Sequence, residues 1–194
     1  MRSSFTERLV LANHLDEQGF QSWFLRPGML FSAERIWWGD EETRPRPHEG
    51  LDLSAFIDSN GDVASLEAGA KVPVLFGGQV VAIFADFLGQ SILVAHQQQE
   101  GGRRFYSIYA HVVAEAGIVV GHHCDDSVII ARIAKSKKAG VPAHLHLSTL
   151  WLSGTLSAEM SWPKIDCSTN IFLCDPLKFI NGYGQNHRNE SHEE

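Results

Sequence analysis

Two histidines one residue apart, in Ala143-His144-Leu145-His146-Leu147, are the clearest chemical signal in the chain. In an extended strand alternate residues share a face, so both imidazoles project together, their α-carbons ~7 Å apart. Rings that close can serve one metal ion, or one can bind it while the other handles protons. Leu145 and Leu147 then face the other way, into a core. Two further stretches can be gathered around this strand: Pro47-His48-Glu49-Gly50-Leu51-Asp52 and Tyr109-Ala110-His111.

His48 and Asp52 are four residues apart, but Pro45, Pro47 and Gly50 argue against a helix. In a straight strand their α-carbons would stand ~13 Å apart. The chain must therefore bend between them, and Gly50 allows it. A His-Asp pair on a bent strand entry, plus one histidine from a distant strand, makes a zinc shell of two histidines and an aspartate. Its fourth position stays open for water, as in a catalytic zinc site. The two histidines left over would flank that water. One can accept its proton while the other steadies an oxyanion or protonates a leaving amine. The residues alone leave open which does which. Each piece is common by itself: Asp52 can cap a turn, a His-x-His pair can lie on a surface, and His111 can be structural. Their joint occurrence, each beside a β element, carries the argument.

At these residues the sequence resembles the lysostaphin/LytM-type zinc metallopeptidases. Their pattern is a HxGxD stretch, a YAH stretch and an HLH stretch, here His48-Glu49-Gly50-Leu51-Asp52, Tyr109-Ala110-His111 and His144-Leu145-His146. The resemblance runs from about residue 45 to about residue 180 and takes in AGAKVPVLFGGQVVAIF, SILVAH and the closing DPLKFI. It implies that His48, Asp52 and His146 bind Zn2+, choosing His146 over His144. It also implies that His111 and His144 are the catalytic histidines, with no glutamate base. The implied fold is mostly antiparallel β with the site in a groove. The implied activity is cleavage of peptide cross-links in bacterial peptidoglycan. Two departures fall on the groove wall: HHCDDSVIIARIAKSKKAGVPA lacks the usual glycine-rich run, and Ser148-Thr149 stand where a glutamate often follows the HLH strand.

The elements that must position these residues read as β. LDLSAFI, AKVPVLF, QVVAIFADF, SILVAHQ, RRFYSIYAHVV, IVVGH, SVIIARIA and AHLHLSTLWL are short runs rich in Val, Ile and Phe, separated by glycine turns. That pattern predicts an all-β, mostly antiparallel domain rather than βαβ units. Ser4 and Glu7 have capping-box spacing and Gly19 is a stop, predicting a short helix over 4–18. Residues 20–47 read as an irregular, aromatic-rich wrap. Residues 155–174 read as a long loop, Asp175-Pro176 as the start of a short final helix, and the tail as polar and mobile. The expected organisation is a helix and wrapping segment over 1–44, a β-rich metallopeptidase-like domain over 45–181, and a tail over 182–194. Asp58-Ser59-Asn60-Gly61-Asp62 reads as a plain turn, its glycine misplaced for a calcium loop.

Composition bounds the rest. The chain has 194 residues, 44% hydrophobic and 20% charged, and a net charge of -7, which suits one packed domain. Without a basic stripe, nucleic acid is not an expected partner, and the acidic balance does not draw the chain to anionic lipid. No apolar run reaches the ~20 residues of a membrane span. No apolar stretch of signal-peptide length opens the chain, so the expectation is a cytoplasmic protein if Met1 is the native start, and a periplasmic or extracellular one if a signal has been removed. Cys124, Cys167 and Cys174 are an odd set without CxxC spacing. Cys167 and Cys174 are spaced to close a small disulfide loop; three free thiols are the equal alternative. His122 and His123, beside Cys124, Asp125 and Asp126, read as a solvated loop rather than a second metal cluster. His14, His96, His187 and His192 read as surface or interface residues. The alternative to an enzyme is a module of the same fold that binds wall peptides or a partner enzyme, or a latent enzyme with residues 1–44 across its groove.

Overall fold

The computed structural model describes residues 2–40, 42–154 and 159–180. The tail 182–194, with His187 and His192, lies outside them. The architecture is built around three long strands: β7 (Gln90–Glu100), β8 (Arg103–Ala114) and β11 (Leu145–Ser153). Their β-branched and aromatic residues alternate between two buried faces. Phe105 and Tyr109 of β8, Ile92 and Val94 of β7, and Leu145 and Leu147 of β11 share the larger core. Tyr106 and Ile108, Leu93 and Ala95, and Leu150 and Leu152 share a smaller one on the opposite face.

Around these strands the sheet runs β12 (Ile171–Cys174), β11, β8, β7, β6 (Gly78–Ala85) and β9 (His123–Cys124). β2 (Leu51–Leu53) pairs with β11, while β10 (Ile129–Ile133) pairs with β8 and with β5 (Lys71–Pro73). These pairings are antiparallel. A separate three-stranded sheet joins β1 (Ser22–Trp23), β3 (Ala55–Ile57) and β4 (Val63–Ser65). The mostly antiparallel β class read from the strand runs is therefore the observed one. Among the described residues, no helix is long and apolar enough to cross a membrane.

The structure departs from the sequence expectations at several elements. LDLSAFI is two strands, β2 and β3, because the chain changes sheets at Ser54, whose carbonyl accepts from Leu66 N at 2.7 Å. The first helix, α1 (Phe5–Ala12), is shorter than expected. Ser4 makes no capping bond; Ser3 Oγ accepts from Phe5 N instead, at 3.1 Å. Turns then run to Gly19 at φ 80°. The expected loop over 155–174 contains α2 (Trp162–Cys167) and β12, which pairs with the outer half of β11. Both are too short for hydrophobic periodicity to announce them. The final helix is one 3₁₀ turn, Pro176–Lys178, capped by Asp175 Oδ1, which accepts from Leu177 N at 2.9 Å.

Phe5 and Leu9 of α1, with Trp23 of the wrap, belong to the same core as the sheet. Phe20 stacks edge-on against Trp23, with ring centroids 5.1 Å apart, and lies 5.5 Å from Phe56 of β3. The wrap's aromatics are anchors here, as their density in residues 20–47 predicts. All three cysteines are free, and His14 is exposed beside Glu17.

His96 is the clear correction among the unassigned histidines: it is fully buried, not a surface residue. Its Nδ1 donates to Gly77 O at 3.1 Å, and its Nε2 lies 2.8 Å from Ser107 Oγ. Burial lowers its pKa to about 4. The folded state thus holds the ring neutral, while the unfolded chain protonates it near pH 6.5. Stability from this site is complete above that pH and is lost as pH falls from about 6.5 to about 4, by up to about 3 kcal/mol. Chemical denaturation across this window should give a shallower pH slope for His96→Asn than for the wild type; parallel slopes would contradict the assignment.

Candidate metal centre

The site forms on the smaller-core face of the sheet, where β11 lies between β2 and β8. Register places Asp52 of β2 directly opposite His146, and Ala110 of β8 opposite it on the other side. Facing residues of paired antiparallel strands bring their Cβ atoms to about 5 Å. The pairing therefore delivers the carboxylate and the imidazole to one place. Gly50 makes the approach possible, though not through an unusual φ. A Cβ at Gly50 would collide with Leu147 O, and would stand 2.7 Å from Ser148 Oγ and 2.8 Å from His146 Nε2. The glycine is required for space.

His48 precedes β2 and is held by the wrap. Its backbone N donates to Ala33 O at 3.0 Å, and its carbonyl accepts from Ser32 N at 2.9 Å. Its Nδ1 donates to Leu30 O at 2.9 Å, which leaves the Nε2 lone pair pointing inward. His146 is tied at the opposite nitrogen: Nε2 lies 2.9 Å from Ser148 Oγ. Asp52 is fixed through Oδ2, which accepts from Trp37 Nε1 at 2.7 Å and lies 3.7 Å from Arg44.

Three atoms are left converging. His48 Nε2 is 3.0 Å from His146 Nδ1 and 3.2 Å from Asp52 Oδ1, and His146 Nδ1 is 2.9 Å from the same Oδ1. Donors around a tetrahedral zinc stand about 3.3 Å apart for bonds of about 2.0 Å. The triangle is within a few tenths of an ångström of that. All three residues are buried. Burial alone would raise the Asp52 pKa, but hydrogen bonding with His146 and His48, and the electrostatic pull of His48 and His144, hold it well below the usual carboxylate range. Burial lowers His146 to about 4 against the pull of Asp52. An ionised Asp52 carboxylate and a neutral His146 ring are the protonation states a metal requires of them. Without a cation or proton between them, the lone pairs repel.

His111 and His144 stand beside this triangle, their ring centroids 4.8 Å apart. His144 sits one residue before β11, with Nδ1 donating to Pro142 O at 2.8 Å. Its Nε2 is buried with no hydrogen-bond partner among the described residues, 3.8 Å from Asp52 Oδ1. Burial lowers its pKa, partly offset by Asp52. His111 approaches Asp86, with Nδ1 at 3.3 Å from Oδ1. The structure thus brings together all five residues singled out by sequence.

It also adds residues beyond those five, including Trp37 and Trp38 of the aromatic-rich wrap. A cavity of about 260 Å³ over the triangle is walled by Trp38, Phe87 and Trp162, with Arg44 and Glu49 at its polar side. Burial raises the Glu49 pKa. Asp86, Trp37, Arg44 and Trp162 had no spacing signal: Trp37 and Arg44 reach the site from the wrap, Asp86 from the turn after β6 and Trp162 from α2.

The chain is similar to LytU at 22% identity, covering 74% of this chain and 88% of that one, with a TM-score of 0.45. It is similar to the catalytic domain of the antimicrobial peptidase lysostaphin from Staphylococcus simulans at 15% identity, covering 86% and 95%, with a TM-score of 0.47. A zinc-containing peptidase from Vibrio cholerae matches at 17% identity over 74% of this chain and 40% of that one, with a TM-score of 0.41. The likeness is one of fold. No protein-family model matches the chain, and no curated protein matches its sequence.

A divalent cation should bind the folded state and stabilise it by mass action. Adding zinc to chelator-stripped protein is expected to raise Tm by several degrees. The same addition to His146→Ala should leave Tm unchanged. Equal shifts in both proteins would place binding elsewhere.

Proposed function

We propose that the protein is a zinc-dependent endopeptidase of the lysostaphin type, acting on peptide cross-links of bacterial peptidoglycan. One observation carries this reading: three buried donors with inward lone pairs meet beside two histidines that each keep one ring nitrogen free. His48, Asp52 and His146 hold the metal, with His146 rather than His144 as the third ligand. Zinc bound there supplies Lewis-acid polarisation and lowers the pKa of a water molecule. The residues supply the rest. His111 and His144 present Nε2 to the cavity, since Nδ1 of each is occupied. One accepts a proton from the attacking water, and the other stabilises charge on the carbonyl oxygen or protonates the departing amine. Trp38, Phe87 and Trp162 exclude water and offer flat apolar walls to an extended peptide. On this reading the protein works where peptidoglycan lies, outside the cytoplasmic membrane.

Loaded with one equivalent of zinc, the wild type is expected to release new amino groups from purified peptidoglycan. His146→Ala should lose both metal and activity. His111→Ala and His144→Ala should keep the metal while kcat falls by about 10²–10⁴-fold. A zinc-loaded wild type that releases no amine, or that matches His146→Ala, rejects the proposal.

A latent form is the second reading, favoured by the wrap's hold on the site. Arg44 and Trp38 stand in the cavity, and the Arg44 guanidinium is 3.7 Å from Asp52 Oδ2. Arg44→Ala distinguishes the two in the same assay. Higher activity identifies Arg44 as a block; lower zinc affinity identifies it as a support for Asp52.

A further inference from the structure

Strand β8 carries an irregularity at His111. Toward β7, Gln90 pairs with Val112 and Ile92 with Tyr109, so Ala110 and His111 together oppose Ser91. This is a β-bulge, which bends a strand and re-aims a side chain. On its other edge β8 pairs with β11 up to Ala110 and with β10 from Val112. His111 sits at the change of partner with φ 62°, a left-handed conformation that costs a non-glycine residue energy. Something must hold it there.

That role falls to Asp86, whose side chain is fully out of solvent. Asp86 begins the turn between β6 and β7, and its Oδ1 accepts from Leu88 N at 2.9 Å and Gly89 N at 2.7 Å. A turn-capping aspartate needs no more than this. Yet Oδ2 accepts from His111 N at 2.8 Å and from Ser91 Oγ at 2.8 Å, and Oδ1 also meets His111 Nδ1 at 3.3 Å. Ser91 in turn accepts from Trp162 Nε1 at 3.0 Å, linking the carboxylate to the cavity wall. One buried carboxylate thus holds both the backbone and the ring of a strained residue 25 positions away.

We propose that Asp86 is the positioning residue for His111: it pins the bulge and keeps the ring proton on Nδ1, so that Nε2 faces the cavity as an acceptor. This rests on the peptidase reading and deepens it by dividing the labour of the two histidines. His111 has a carboxylate behind it, which stabilises the ring as it takes up a proton. His144 has only a neutral carbonyl, that of Pro142, behind its Nδ1, and so lacks that support for a proton-accepting ring. The proton from the attacking water therefore goes to His111 Nε2, and the ring passes it on to the departing amine.

Nitrogen-15 spectra of the histidine rings in zinc-loaded protein at pH 8 test the assignment without reference to turnover. The wild type should show His111 protonated at Nδ1, and Asp86→Ala, which removes the acceptor, should shift that proton to Nε2. In parallel, Asp86→Ala should lower kcat on peptidoglycan at least tenfold, with KM and zinc content unchanged. A wild-type His111 protonated at Nε2 overturns the proposal by itself, so it stays falsifiable if Asp86→Ala does not fold. An unaltered ring spectrum in a folded Asp86→Ala protein, or an altered spectrum with wild-type kcat, overturns it as well. A wild type that leaves peptidoglycan intact, while the Asp86→Ala ring proton still moves, rejects the substrate reading and keeps the Asp86–His111 assignment.

Discussion

The pairing of β2 against β11 is the constraint on which the site depends. It sets Asp52 opposite His146 and buries a carboxylate among imidazoles, a costly arrangement without compensation. Compensation comes from outside the pair. Trp37 and Arg44 address the outer oxygen of Asp52, Leu30 O and Ser148 Oγ fix the rings, and Gly50 gives up its side chain so that the strands can close. The wrap is therefore part of the centre: it supplies His48 its backbone partners and Asp52 its indole donor.

The regular part of the sheet could not by itself aim His111 where it lies. In an unbroken strand the residue after Ala110 turns to the larger core, with Tyr109 and Val112 on either side in sequence. The bulge overrides that alternation and returns His111 to the face that carries His146, their ring centroids 5.7 Å apart. Irregularity at this point is what joins a histidine from β8 to a metal triangle built on β2 and β11.

How much of this was legible in sequence follows from the range of each interaction. Most of the strands were legible because alternation is local, though IVVGH (residues 118–122) is turn and irregular chain rather than the strand its apolar run suggests, and the five site residues stood out because their spacing sits beside those strands. The helix at 162–167 and the strand at 171–174 were hidden by their brevity. The break at Ser54 was hidden because LDLSAFI alternates without interruption, and only pairing decides that its halves serve different sheets. His96 was misjudged for want of a partner in sequence; its partners are Gly77 O, 19 residues away, and Ser107. Asp86 shows the same limit. Asp-Phe-Leu-Gly reads as turn chemistry, and nothing local says that the same carboxylate reaches a bulge in another strand.

The departure at Ser148 has a physical consequence for a cation held here. A carboxylate behind a ligating histidine makes it a stronger donor, whereas a hydroxyl does so weakly. In this chain His146 has the Ser148 hydroxyl behind it and His48 has the Leu30 carbonyl. Asp52 is the one anionic member of the triangle, and Trp37 N–H and the nearby Arg44 draw its charge outward. A divalent ion in such a shell would keep most of its charge. The same weak support would loosen the grip on the ion, and burial of His48, Asp52 and His146, which removes competing solvent and strengthens each remaining interaction, would offset that loss.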